Sequence, residues 1–253
     1  MVSSQAYAED GAVFRVEIDT EESEEHEFQV EILRLQQNET TQPKRVLIYH
    51  THTYEAYEQV EEDRYEPTEQ WRTKDEAHNV VAVGAALAGC LRASGIEVIH
   101  DRTAFEPPNL DDAYARSLSM LENRISNGEV YDLYIDLHRD ALASNTSVSK
   151  TVKISGMDVA RFMILVGQGK TGGYDQLPDW EANLAVATRI TDHLNQQHQN
   201  LARNVKIKTG RYNQHISNCC ILIECGMNTN TLEEVLAGVP YLAEAIATVL
   251  SAQ

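Results

Sequence analysis

The chain has 253 residues, of which 42% are hydrophobic, so it can bury a full core and wholesale disorder is excluded. Lys and Arg number 21 against 39 Asp and Glu, a formal charge of −18. That charge argues against a nucleic-acid partner, whose phosphates need basic neutralisation, and against docking on anionic lipid.

Residues 1–43 read as an acidic β-hairpin and linker, separate from a domain over 44–253. Phe14 to Ile18 alternates, an acidic run from Glu21 to Glu25 follows, and Phe28 to Leu35 alternates again, the pattern of two strands joined by a turn. Consecutive like charges repel, so the glutamate run is expected to be solvated rather than a cation site. Met1 to Gln5 carries neither the charged nor the apolar region of a signal peptide, and no run of about 18 apolar residues marks a membrane span. An exported protein would therefore carry its anchor outside this chain.

From Arg45 the pattern alternates strand and helix. Val46 to Tyr49 is a short apolar run suited to a buried strand. Ala77, Val80, Val81, Gly84, Leu87, Ala88 and Leu91 fall on one helical face, closed by Gly95. Ile96 to Ile99 predicts a second strand, Tyr114, Leu118, Leu121 and Ile125 a second helix, and Tyr131 to Leu137 a third strand. Val152 to Ile154 and Phe162 to Val166 are expected to pair as a hairpin. Leu184, Ala187, Ile190 and Leu194 mark a third helix, Val205 to Ile207 a further strand, and Ile221 to Ile223 the last buried one. The tail from Thr231 reads as helix, interrupted at Gly238 and Pro240. This order predicts an α/β fold: a mixed, largely parallel sheet flanked by helices. The four cysteines form no CxxC pair, so a zinc ribbon or thioredoxin-like motif is not expected.

In such sheets functional groups gather past the carboxyl ends of the strands. Here the first strand runs into His50-Thr51-His52-Thr53-Tyr54-Glu55, the third into Asp136-Leu137-His138-Arg139-Asp140, and the last into Glu224-Cys225-Gly226. Two histidine sites and one or two carboxylates converging on one sheet edge have the composition of a catalytic zinc site, with three N/O ligands and an open position. His52-x-x-Glu55 has the spacing of a zinc-carboxypeptidase pair, while His50 could ligate instead or orient the ligand. Asp75 rivals Glu55 as the carboxylate ligand. Glu224, on a buried strand, is the candidate general base, because desolvation raises a carboxyl pKa. Gly167-Gln168-Gly169-Lys170-Thr171-Gly172 matches a dinucleotide fingerprint in letters only, since no helix follows to present its amide end to a phosphate.

Several motifs in order resemble the stage II sporulation protein P family. They are His50-Thr51-His52 after an apolar strand, Arg72-Thr73-x-Asp75 before Asn79-Val80-Val81-x-Val83-Gly84, and Asp136-Leu137-His138-Arg139-Asp140-Ala141. Tyr212-Asn213-Gln214-His215, Leu222-Ile223-Glu224-x-Gly226 and Asn230-Thr231-Leu232-Glu233-Glu234 complete the set. The resemblance covers about residues 45–250 and implies a zinc-dependent N-acetylmuramoyl-L-alanine amidase fold acting on peptidoglycan, with a second, endopeptidase activity. It also implies an extracytoplasmic, membrane-anchored protein of engulfment working with a lytic transglycosylase. Carried onto this chain, the Zn²⁺ ligands fall on His50 or His52, His138, and Glu55 or Asp75, and the catalytic carboxylate on Glu224. Arg139 is a candidate for a peptide carboxylate, with Asn213 and Asn228 as candidates for substrate amides. The high acidity leads one to expect a locally less acidic cleft, with Arg139, Lys208 and Arg211 supplying positive charge. The alternatives are a carboxypeptidase-like enzyme on free wall peptides, favoured by His52-x-x-Glu55 and Arg139, and a non-catalytic peptidoglycan-binding module.

Overall fold

A computed structural model describes residues 2–7, 13–18, 42–141 and 148–252. Contacts divide the chain into two units, Met1–Gln42 and Pro43–Gln253. In the first, β1 (Val2–Tyr7) pairs antiparallel with β2 (Val13–Ile18). The predicted strand at 14–18 thus finds its partner on its N-terminal side; the other predicted strand, 28–35, and the glutamate run lie outside the described residues.

The second unit is built on a six-stranded sheet. Its strands are β3 (Arg45–Tyr49), β4 (Glu97–His100), β5 (Leu133–Asp140), β8 (Phe162–Gly167), β9 (Lys206–Lys208) and β10 (Cys220–Met227), in the order β4-β3-β5-β10-β8-β9. All neighbours are parallel except β10 and β8, which gives the mixed, largely parallel sheet that the alternating elements predict. The expected hairpin is redrawn. β6 (Thr151–Ile154) pairs with β7 (Met157–Ala160) in a separate ribbon, and β8 joins the main sheet. The turn between them is Ser155-Gly156, with φ of 50° and 88°, the left-handed pair a two-residue hairpin needs.

Strand periodicity sorts the side chains between two faces. Val46, Ile48, Ile135, Leu137, Ile221 and Ile223 belong to the larger core, which buries the apolar sides of α1 (Val80–Ala93), α3 (Trp180–Gln197), α4 (Leu232–Leu236) and α5 (Val239–Ser251). Leu47, Tyr49, Tyr134 and Cys220 form a smaller cluster with Leu121 of α2 (Ala113–Ser126) on the opposite face. Local capping agrees with this packing: Asn79 accepts from Val81 N at 2.9 Å at the start of α1, and Thr231 and Glu234 form a reciprocal capping box on α4. Leu232–Ser251 is apolar enough over an 18-residue window, at mean hydropathy 1.3, to resemble a membrane span. It comprises α4 and α5 in succession, and its Val235, Leu242, Ile246 and Val249 are core residues.

Candidate active site

β5 and β10 lie side by side in parallel, with Glu224 in register with His138. Residues 134, 136 and 138 share a parity, as do 220, 222 and 224, so Asp136, His138 and Glu224 project from the α2 face. The Asp136 carboxylate accepts from Thr51 N at 2.8 Å and from Thr51 Oγ1 at 2.7 Å. It also lies 2.7 Å from His138 Nε2, although that contact is poorly aligned for a hydrogen bond. On the other side of the ring, His138 Nδ1 is 3.3 Å from Glu55 Oε2. Burial alone would keep this imidazole neutral; Asp136 and Glu55 outweigh it and raise the His138 pKa well above the ordinary value.

At Tyr49 the chain leaves β3 and turns through residues 51–54, with Glu55 N donating to His52 O at 3.3 Å. The turn brings the His52 ring edge-on to His138, centroids 5.3 Å apart, and edge-on to Tyr114 at 5.5 Å. His52 Nδ1 is buried with no hydrogen-bond partner and lies 3.8 Å from Glu106 Oε1. Burial, helped by the charge of His138, lowers the His52 pKa to about 4. Glu106 is itself buried, bonded to the Arg72 guanidinium and accepting from Tyr54 N at 3.2 Å. Glu55 is buried too, which would raise its pKa, but the His138 imidazole and the Arg139 charge hold it down to about 2.

Glu224 differs from the other carboxylates. Its Oε2 is buried without a hydrogen-bond partner. Burial, opposed by the His138 charge and reinforced by Glu55 and Asp140, pushes its pKa up to about 8, the environment that suits a proton-transfer group.

The structure thus brings His52, Glu55, His138 and Glu224 together and leaves the other predicted residues elsewhere. His50 keeps the parity of Val46 and Ile48 and turns to the α1 face. There its Nδ1 lies 2.9 Å from Leu137 O and its Nε2 2.8 Å from His100 Nε2, so both ring nitrogens are engaged. The pair fills the space over Gly84, where a Cβ would come within 2.6 Å of His100 Nε2 and 2.7 Å of His50 Nε2. Asp75 has a half-exposed side chain that accepts from Ala77 N at 3.0 Å and approaches His78 Nε2 at 3.7 Å. Arg139 is buried; its Nε donates to Ala56 O at 2.9 Å and its Nη2 to Trp71 O at 3.0 Å. Those bonds clamp the loop that carries Glu55 and engage the guanidinium with backbone carbonyls. Asn213 donates to Tyr114 O at 2.8 Å and Ser117 Oγ at 3.1 Å, tying its loop to α2. Asn228 is buried just past β10, its backbone N–H on Asp140 O at 2.9 Å.

Three residues of the site were not anticipated as such: Asp136, Glu106 and Tyr114. Asp136 was detectable, since strand period 2 places it on the same face as His138. Glu106 comes from the irregular stretch between β4 and α2, where no periodicity marks it.

Two imidazoles and a carboxylate match the N/O donor set of a catalytic zinc centre with an open position. The buried, unpartnered Glu224 Oε2 fits such a centre, because buried polar atoms are costly without a partner. The side chains are near one another rather than closed into a ligand cage: among the described residues no three His, Cys, Asp or Glu side chains converge tightly enough to hold a metal ion.

The model of the stage II sporulation protein P family matches residues 3–247. Stage II sporulation protein P of Bacillus subtilis (strain 168) is 26% identical over 209 residues, covering 78% of this chain and 49% of the relative; the chain therefore spans about half the length of that relative. Among solved structures, the catalytic domain of the CD27L endolysin targeting Clostridia difficile superposes with a TM-score of 0.50 at 16% identity, over 83% of this chain and 98% of that one. The catalytic domain of CwlV, an N-acetylmuramoyl-L-alanine amidase from Bacillus (Paenibacillus) polymyxa, gives 0.49 at 14% identity, over 83% and 97%. The endolysin domain shares the α/β fold described above, and the family model spans nearly the whole sequence: the chain belongs to the stage II sporulation protein P family.

Proposed function

We propose that this chain is a zinc-dependent peptidoglycan hydrolase that cuts the amide between the lactyl group of N-acetylmuramic acid and L-alanine. The reading rests on one arrangement: His52 and His138 packed edge to face, Glu55 beside His138, and Glu224 in register with His138. His52, His138 and Glu55 would hold the metal. Zn²⁺ would supply Lewis-acid polarisation of the scissile carbonyl and would acidify water. Asp136, 2.7 Å from His138 Nε2, and Glu106, 3.8 Å from His52 Nδ1, stand behind the two imidazoles, where a carboxylate orients a ligating histidine once the metal draws the ring into place. Glu224, which a bound cation would favour in its ionised form, would take the proton of the attacking water and return it to the leaving amine.

The electrostatics favour a cation here. Asp136, Glu55 and Glu224 gather around the His138 imidazole, with the Arg139 charge acting on Glu55 and that of Arg203 on Glu224, and carboxylates packed this way repel unless a further cation joins them. The amidase reading is favoured over the carboxypeptidase-like alternative because the Arg139 guanidinium is engaged by the Ala56 and Trp71 carbonyls. Family membership supports a place in cell-wall remodelling during sporulation, outside the cytoplasm, with a membrane anchor and a lytic transglycosylase as partners.

The test is product analysis on intact sacculi. Release of glycan strands with unsubstituted muramoyl lactyl groups is expected. Release of cut peptides alone, with every muramoyl group still substituted, would replace the amidase reading with an endopeptidase one.

A further inference from the structure

Next to His52 the chain adopts a conformation that is costly for its residues. Tyr212 and Asn213, neither of them glycine, both take left-handed backbone angles, φ 51° and 55°, a region that a bulky L-residue such as tyrosine rarely adopts. The surroundings hold them there. Asn213 is bonded to α2 through Tyr114 O and Ser117 Oγ. Gln214 accepts from Gly167 N at 2.8 Å and donates to Leu165 O at 2.9 Å. Tyr212 lies over two glycines: a Cβ on Gly167 would meet its Cδ2 at 2.7 Å, and one on Gly210 its Cε2 at 2.8 Å.

This strained segment presents Arg211 and Tyr212 to a cavity of about 460 Å³, lined also by Tyr114, Tyr174 and Asp111. The cavity adjoins the active site through aromatic rings in series: His52 touches Tyr114 at 5.5 Å, and Tyr114 touches Tyr212 at 5.8 Å. The Arg211 guanidinium lies 4.0 Å over the Tyr174 ring. Among the described residues it makes no ion pair or hydrogen bond, although Glu122 and Asp175 line a second cavity that it also borders. The other carboxylate at hand, Asp111, is solvent-exposed. A guanidinium stacked on a ring keeps its in-plane N–H edge free, the geometry that takes a carboxylate in two parallel hydrogen bonds.

We propose that Arg211 is a substrate-binding residue that grips a free carboxylate on the peptide side of the scissile amide. The ring-to-ring path from His52 through Tyr114 to Tyr212, in steps of 5.5 and 5.8 Å, is of the order of two residues of extended peptide at about 3.4 Å each plus the reach of a carboxylate. The ligand class is thus an acidic peptide, such as a wall stem in which a γ-linked D-glutamyl residue leaves its α-carboxylate free. The proposal rests on the hydrolase reading above and adds to it a preference for carboxylate over carboxamide at that position.

The experiment uses the zinc-loaded full chain with Glu224→Gln, so that ligand is not consumed. Calorimetry compares muramoyl-L-alanyl-γ-D-glutamyl-L-lysinamide with its glutamyl α-carboxamide counterpart. Binding at least tenfold tighter for the free acid is expected, with Arg211→Gln abolishing the preference by weakening the acid alone and Arg211→Lys keeping part of it. No binding of either ligand, equal binding of both, a preference that survives Arg211→Gln, or equal weakening of both ligands would overturn the proposal. If the preference appears but sacculi are not opened at the lactyl amide, the amidase reading fails while the carboxylate subsite stands.

Discussion

Glu224 and His138 face the same side of the sheet from adjacent parallel strands, in direct register, so a rigid sheet sets the spacing between the candidate base and a candidate ligand. Replacing Glu224 with Gln keeps the shape and removes the proton acceptor. Hydrolysis of wall material should fall by about 10²–10⁴-fold, the usual contribution of a positioned base, with zinc content unchanged. Turnover assays paired with metal analysis read both; a fully active Glu224→Gln chain would require another base.

Glu106 touches His52 from behind and is held by Arg72 and Tyr54 N. We expect Glu106→Gln to loosen the imidazole without removing a ligand, weakening zinc affinity by about 10–100-fold. Competition with a chelator of known strength measures this, and unchanged affinity would leave Glu106 only a scaffold for Arg72.

Arg139 offers the contrast of a cation committed to structure. Arg139→Ala strands Ala56 O, a buried acceptor whose unmade bond costs about 1–3 kcal/mol, while Trp71 O keeps the Ala56 N–H at 2.8 Å. Denaturant unfolding should show a loss of that order or more. A variant of native stability with weakened peptide binding would return Arg139 to the substrate.

Asp101 and Arg124 give a pH signature away from the site. Their 2.7 Å ion pair lets the Arg124 and Thr103 hydrogen bonds overcome partial burial and hold Asp101 below its ordinary pKa. A depressed carboxylate contributes stability above its unfolded pKa and loses it as pH falls through the folded one. Asp101→Asn should therefore be less stable than the parent at neutral pH, the gap closing below the ordinary carboxylate range. Melting temperatures across pH follow it; a gap that persists in acid would point to packing instead of charge.

The sheet and the outer members of the site were legible because buried strands write themselves as apolar runs, and His138 and Glu224 sit on such runs. The choice between His50 and His52 was not. Both follow β3 with the same parity, and a turn over 51–54 begins between them, so only that turn decides which imidazole reaches His138. Asp75 and Glu55 pose the same problem, since both lie in a long excursion without periodicity whose folding depends on Arg139. The pairing of β6 with β7 was missed because Met157–Ala160 is short and interrupted by Asp158, while the neighbouring run from Phe162 is a longer apolar strand committed to the main sheet.

The most direct test of the site is zinc stoichiometry on the purified full chain, measured for the parent and for a double His52→Ala, His138→Ala variant that still melts cooperatively. One zinc per parent chain and none on the variant is the expected result. A parent that takes up no zinc, or a variant that retains a full equivalent, would contradict a centre built on these two imidazoles.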